Sequence, residues 1–315
     1  MQIFNDLTYI NKSSLALGFF DGLHLGHRVV LKNTINLAKE NNAPSVVITF
    51  KSHPLNFLSD NKVELILTLE ERLNILENIG IENVILLDFE KYSNIRAKDY
   101  LENVLIKYFS PLAITTGFNH HFGFNKEGDS CFLRKYKDIY KYKYFEVPPF
   151  VVNDTVVSCS EIRSRLHLGN FPQAGSLLGY YYFINVSVIE GEHIAAKLGF
   201  PSANFIYPED KVKIPHGVYY VKVKIEEKEY NGVLNYGYAP TLNNNSRLKS
   251  EVHIIDFNEN IYGKRIKIYF IAKIRNQMKF ESTDKLKAQI MRDIAFTDIY
   301  QHFLHSSISF KEKKY

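Results

Sequence analysis

The sequence predicts two folds in succession, an α/β domain built on a parallel sheet and then an antiparallel β domain with a terminal helix. In the first half, four brief apolar runs alternate with amphipathic helical patterns. Beyond about residue 180 the texture changes to strands of alternating apolar and polar positions. Size is the third observation, because 315 residues, 45% of them hydrophobic, are enough for two cores.

Ser14 to Gly18, Pro44 to Phe50, Asn83 to Leu87 and Leu112 to Thr116 are short, apolar and often β-branched, so each is expected as a buried strand. Leu25 to Asn41, Leu69 to Gly80, Ala97 to Tyr108 and Asp129 to Lys143 carry apolar residues at three-four spacing and are expected as helices, with Gly80 as a C-terminal stop. Such alternation implies right-handed crossovers and a parallel sheet covered on both faces, with ligands beyond the strand C-termini. The run Arg134 to Tyr144 interleaves cations with tyrosines, a pattern that can bind single-stranded nucleic acid. Helical spacing instead places Leu133, Tyr136, Ile139 and Tyr140 on one face and the lysines on the other, as in an ordinary solvated helix. In the second half Gly217 to Ile225, Val252 to Phe257 and Arg265 to Ala272 read as strands of an antiparallel sheet or small barrel. Asn231-Gly232 and Asn258-Glu259-Asn260 read as turns, and Asp284 to Asp293 as a helix. The expected domains are residues 1–180 and 181–315, with the boundary near Gly179 to Phe183.

Lys+Arg 39 against Asp+Glu 34 leaves a net charge of +5, too small an excess at this length to demand a nucleic-acid or membrane partner, though phosphates remain compatible substrates. Cys131 and Cys159 are the only cysteines, which excludes a disulfide framework or a four-cysteine zinc site and suits a reducing compartment. No stretch approaches the roughly 20 apolar residues of a membrane span, and the first residues lack a basic start followed by an apolar run. The expectation is a cytoplasmic protein.

The sharpest local signal is GFFDGLHLGH, Gly18 to His27, which ends the first strand and opens the first long helix. His24 and His27 lie three residues apart, so both can meet one ligand. Gly18, Gly22 and Gly26 let backbone approach closely, and a helix N-terminus offers free N–H groups and partial positive charge to a phosphate. Two imidazoles add donors that can follow charge onto a leaving pyrophosphate. Further on, Ser158 and Glu161 form S-x-x-E, which by itself reads as a helix capping box, and His53-Pro54 by itself reads as a turn after a strand.

GFFDGLHLGH resembles the signature of the HxGH nucleotidyltransferases, and specifically of the bacterial bifunctional riboflavin kinase/FAD synthetases. ITFKSHP (Ile48 to Pro54), TGFNHHFG (Thr116 to Gly123) and VSCSEIRSRL (Val157 to Leu166) fit that family in order and separation. The resemblance implies a Rossmann-like nucleotidyltransferase domain in which Asp21, His24 and His27 handle the ATP phosphates and Asn119 contacts the flavin nucleotide or adenylate. Ser158, Ser160 and Arg163 would close on the triphosphate, with Phe19 and His53 also at the nucleotide site. The family usually has a second serine and a basic residue where this chain has Cys159 and Glu161.

In the second half LGFPSANF (Leu198 to Phe205), GVLNYGYAPTL (Gly232 to Leu242) and SEVHIIDF (Ser250 to Phe257) together resemble the flavokinase domain, an antiparallel barrel. By that resemblance Ser202 and Asn204 ligate Mg2+, an ion suited by hard oxygen donors, and Glu251 is the base for the riboflavin 5′-hydroxyl. Pro201, Asn235, Thr241 and Arg275 would complete the binding site. Ala195-Ala196 stand where the family has Gly-Arg, and Gln277 where it has an acidic residue. The implied activity converts riboflavin and ATP to FMN, then FMN and ATP to FAD. The departures leave open an FAD synthetase with a degenerate kinase domain, or a flavin-binding regulator without turnover.

Overall fold

The computed structural model describes residues 1–58, 62–191, 198–238 and 248–307, the side chains of 304–307 excepted. The chain divides into two compact units, Met1–Glu161 and Ile162–Tyr315.

In the first unit the four apolar runs become β2 (Ser14–Leu17), β3 (Ser45–Phe50), β4 (Asn83–Leu87) and β5 (Ala113–Gly117). Two strands not read from the sequence, β1 (Gln2–Phe4) and β6 (Lys143–Val147), flank them. All pair in parallel in the order β1-β4-β3-β2-β5-β6, and a short antiparallel ribbon of β7 (Val151–Val152) and β8 (Thr155–Val156) follows them. The central strands are buried almost throughout, which is why they read as continuous apolar runs, whereas the two edge strands are largely exposed and carry no such run. Helices Leu25–Glu40, Leu69–Ile79 and Ser130–Tyr140 follow their patterns. The third pattern is one helical path from Ala97 to Phe109 whose middle turns, Leu101–Ile106, are π-helical. Gly80 ends its helix at φ 98, a left-handed cap that glycine adopts without penalty.

The basic helix needs correction twice. It stops at Tyr140, where Lys141 turns left-handed (φ 59), and Lys143 already belongs to β6. Its buried side is built from Leu133 with Phe132, Tyr136 and Tyr140 against the core, while Ile139 is 63% exposed.

The second unit is an antiparallel sheet ordered β10-β13-β12-β11-β14-β9. Its strands are β9 (Phe183–Ser187), β10 (Ser202–Phe205), β11 (Gly217–Ile225), β12 (Lys228–Tyr238), β13 (Leu248–Ile254) and β14 (Arg265–Arg275). Just past β9, Ile189 donates its N–H to the Asn204 carbonyl of β10 at 2.8 Å, which brings the sheet's two ends together as a barrel. Asn231-Gly232 is not a turn but lies inside β12, and the hairpin closes instead through Glu226-Glu227. A Cβ at Gly232 would come within 2.9 Å of the His253 carbonyl, so this glycine serves close strand approach. β13 begins earlier than the expected Val252, and the terminal helix runs Thr283–Ser307, far beyond Asp293. Phe171, heading the helix Phe171–Leu178, stacks on Phe270 at 4.9 Å and meets Tyr219 edge-on at 5.5 Å. Residues 162–180 thus pack with the second sheet, and the units divide earlier in the chain than residue 180.

Candidate functional site

Three of the first-half motifs meet because β3, β2 and β5 are neighbours running the same way. Their carboxyl ends carry ITFKSHP, GFFDGLHLGH and TGFNHHFG respectively. After Leu17 the chain turns tightly, with Phe20 (φ 57), Gly22 (φ 76) and Leu23 (φ 39) in left-handed backbone. Such conformations are sparsely populated and need support from surrounding structure.

Arg72 supplies much of that support. This arginine, 2% exposed, donates through Nη1 to the Phe19 carbonyl and through Nη2 to the Phe50 carbonyl, each at 2.6 Å, and its guanidinium lies 4.2 Å from the centre of the Phe19 ring. It therefore ties the ends of β2 and β3 together. Burial lowers its pKa to about 10, which still leaves it charged. Thr49 Oγ1 adds a bond to the same Phe19 carbonyl at 3.0 Å. Neither residue was singled out from sequence, although Arg72 sits four before the buried Leu76 on its helix, so its place on the apolar face was a legible signal. His53 stands edge-on to Phe19 at 4.6 Å, which brings that predicted residue to the same turn.

His24 is the N-cap of the helix Leu25–Glu40, its Nδ1 accepting the His27 N–H at 3.2 Å. The two rings stack at 3.6 Å with 15° between planes. Burial holds His24 near 4, and burial together with the neighbouring His24 holds His27 well below the ordinary imidazole value, so both rings are neutral at pH 7. His27 Nδ1 is sealed from water and has no hydrogen-bond partner among the described residues. Gly26 packs on the cap, where a Cβ would meet His24 Cε1 at 3.3 Å; Gly18 lies under the Phe20 ring.

Asp21 is placed differently from the phosphate-handling role that the family resemblance implies. It is 2% exposed, and its carboxylate accepts the N–H groups of Ile66 (3.1 and 3.2 Å) and Leu67 (3.2 Å). These residues lead into the Thr68–Glu71 capping box of the helix that carries Arg72. Asn119 is exposed just past the end of β5. Ser158 Oγ accepts the Glu161 N–H at 3.2 Å, half of a capping box, and Ser160 is exposed. Cys159 heads the helix Cys159–His167 and its thiol donates to the Asp21 carbonyl at 3.0 Å. Arg163 lies half-buried on the part of that helix assigned to the second unit.

In the second unit, strand register aligns Asn204, Glu251 and Asn235 directly across β10, β13 and β12. Ser202, two residues before Asn204, shares its face and donates to Glu251 Oε2 at 3.2 Å; Asn235 Nδ2 donates to Glu251 Oε1 at 3.3 Å. Gln277 Nε2 in turn donates to Asn235 Oδ1 at 3.4 Å, the side chain fitting against Gly237, where a Cβ would collide with it. Pro201 presents its carbonyl to His253 Nδ1 at 2.8 Å. Arg275 is engaged by Asp293 through Nε (2.9 and 3.1 Å) and Nη2 (2.7 Å), deep against the terminal helix. Thr241, Ala195 and Ala196 lie outside the described residues. The hydroxyl of Ser202, the amide oxygen of Asn204 and the carboxylate of Glu251 form a set of hard oxygen donors that fits Mg2+.

Residues 7–161 match the FAD synthetase family and residues 178–300 the riboflavin kinase family. A bifunctional riboflavin kinase/FMN adenylyltransferase of Buchnera aphidicola subsp. Schizaphis graminum is 32% identical over 302 residues, covering 94% of this chain and 96% of that protein. Its counterpart in Bacillus subtilis is 34% identical over 288 residues, 90% of each. The crystal structure of a protein described as a macrolide-efflux protein from Streptococcus pneumoniae superposes with a TM-score of 0.86 at 29% identity, covering 95% of this chain and 99% of that one. Among the described residues no helix is long and apolar enough to cross a membrane.

Proposed function

The chain belongs to the family of bifunctional riboflavin kinase/FMN adenylyltransferases, and from that premise we propose how its residues carry the two reactions. It is an ATP-dependent transferase that phosphorylates riboflavin to FMN and adenylates FMN to FAD, releasing pyrophosphate.

Adenylyl transfer is assigned to the N-terminal unit. An FMN phosphate oxygen attacks the α-phosphorus of ATP as the bond to pyrophosphate breaks, so negative charge moves onto the leaving group. Donors fixed in advance are worth most at that point, since nothing has to reorganise. The N-terminus of the helix Leu25–Glu40 offers N–H groups and partial positive charge, and neutral His24 and His27 offer imidazole N–H groups beside it. Gly18, Gly22 and Gly26 let the nucleotide-binding turn pack closely on Phe20, Ile66 and His24, Ser158 and Ser160 add hydroxyls, and Phe19, His53 and Asn119 border the nucleotide. Asp21 acts by holding the turn.

Riboflavin phosphorylation is assigned to the C-terminal unit, with Glu251 accepting the 5′-hydroxyl proton as the γ-phosphate transfers. Ser202 and Asn235 hold both carboxylate oxygens in place for that task. Mg2+ held by Ser202 and Asn204 would offset charge on the ATP phosphates. Pro201, Asn235 and Thr241 border the substrates, and Arg275 fixes the terminal helix through Asp293. Small flavins and ATP as the partners are in keeping with the modest charge excess, and a cytoplasmic location with the sparse cysteine content.

The observation that supports this division is that ITFKSHP, GFFDGLHLGH and TGFNHHFG lie at the strand ends of the sheet of the first unit, whereas Ser202, Asn204, Asn235 and Glu251 share the sheet of the second. His27→Ala is expected to abolish FAD formation from FMN and leave FMN formation from riboflavin intact; Glu251→Gln is expected to do the reverse. Chromatographic separation of flavin products from each supplied flavin reads both, and loss of both activities in either variant would contradict the scheme.

A further inference from the structure

His24, His27 and Cys159 bring two imidazole nitrogens and a thiol sulfur within 4.8 Å of one another. Zinc bound by nitrogen at about 2.0–2.1 Å and sulfur at about 2.3 Å in tetrahedral geometry has ligand atoms roughly 3.3–3.8 Å apart. Because an imidazole lone pair lies in the plane of its ring, the two rings, 15° apart, must turn out of their stack for both to face one ion, while the thiol needs only a rotation about its own χ1. The convergence is built by the fold: His24 caps the helix over His27, and the Cys159 thiol reaches into the same turn, 3.0 Å from the Asp21 carbonyl. A second feature points to a ligand, for His27 Nδ1 is sealed from water without a partner among the described residues, an arrangement that is costly unless something fills it. A serine at position 159 would leave only the nitrogens as soft donors.

We propose that this trio is a binding site for a zinc-class divalent cation, with three protein ligands and one open position, and that its occupancy halts FAD formation while FMN formation continues. Two nitrogens and a sulfur select such ions over Mg2+, which takes oxygen. On binding, the Cys159 S–H bond breaks and its proton leaves to solvent; the thiolate and one lone pair from each imidazole form the new bonds, and no electron changes owner. If His24 ligates through Nδ1, its bond to the His27 N–H at 3.2 Å gives way. The inhibitory half rests on the reading that His24 and His27 serve adenylyl transfer; the binding half does not.

The test titrates Co2+ into the metal-free full-length enzyme, then displaces it with Zn2+. Expected are the visible bands of tetrahedral cobalt with a near-ultraviolet thiolate band, both lost in Cys159→Ser and both kept in Cys131→Ser. Cys159→Ser should weaken zinc binding by at least the roughly 10–100-fold that even an indirect partner of a ligand is worth. With ATP and excess Mg2+ present, zinc should suppress FAD formation from FMN in the wild type and spare it in Cys159→Ser, while FMN formation from riboflavin is spared in both and controls for zinc-bound ATP. A six-coordinate cobalt spectrum without a thiolate band, or one unchanged in Cys159→Ser, overturns the site. Tight thiolate-dependent binding that leaves FAD formation untouched overturns the inhibitory half alone, and His27→Ala assayed without added metal then tells whether the histidines serve the reaction at all.

Discussion

Replacing Asp21 with alanine removes the one carboxylate that accepts both the Ile66 and Leu67 N–H groups. Asp21 is 2% exposed, so no water takes its place without rearrangement. Each buried donor left unsatisfied costs about 1–3 kcal/mol, and two give about 2–6 kcal/mol. The loss falls on the segment that enters the Thr68–Glu71 capping box, and through that helix on Arg72 and the ends of β2 and β3. Asp21→Asn can keep an oxygen at the Oδ1 position, which accepts both N–H groups, and should recover most of the loss. Urea unfolding of the full chain by circular dichroism should show the N-terminal unit melting at lower denaturant in Asp21→Ala. Hydrogen exchange at Ile66 and Leu67 should quicken at least about tenfold, the equivalent of roughly 1.4 kcal/mol. A variant that loses FAD formation with its midpoint and exchange unchanged would refute this account and put Asp21 on the substrate.

In the second unit, Asp293→Ala should lower stability by up to about 3–5 kcal/mol, since it strands a partly buried guanidinium (side chains 2% exposed for Asp293, 17% for Arg275); a urea transition for that unit shifted by less than about 1 kcal/mol counts against it. Burial, and secondarily His121, holds the His120 imidazole near 4 against an ordinary 6.5, so the unfolded chain binds the extra proton first as pH falls. That contribution, at most about 3 kcal/mol, is complete above 6.5 and drains away as pH falls towards 4. His120→Phe, which can keep the stack on Phe122, should lose less stability than the wild type between about pH 7 and pH 5; equal losses in both proteins would exclude the effect.

Legibility followed burial. β3 and β4 could be read because they are buried and therefore apolar over nearly every residue; β1 and β6 could not, because an edge strand in water has no reason to be apolar. Asn231-Gly232 misled because the pair has the chemistry of a hairpin turn, while the glycine is there to let β12 approach the His253 carbonyl. Ile139 misled because helical spacing tells which residues share a face but not how far the neighbouring surface extends. At the sites, the motifs located the loops. The groups that hold them, Arg72 above all, lie tens of residues away, and only the fold brings them together.

The same division between motif and support accounts for Gln277. Glu251 is a useful base only if its carboxylate is held in one place, and two donors do that, the Ser202 hydroxyl and the Asn235 amide. An amide can turn over, so its N–H reaches Glu251 reliably only if its oxygen is claimed from the other side. Gln277 claims it by donating from Nε2, and Gly237 leaves the room it needs. A carboxylate at position 277 could only accept; it would draw the Asn235 N–H to itself and turn the amide oxygen towards Glu251. In this chain glutamine is therefore the side chain consistent with the rest of the network around Glu251.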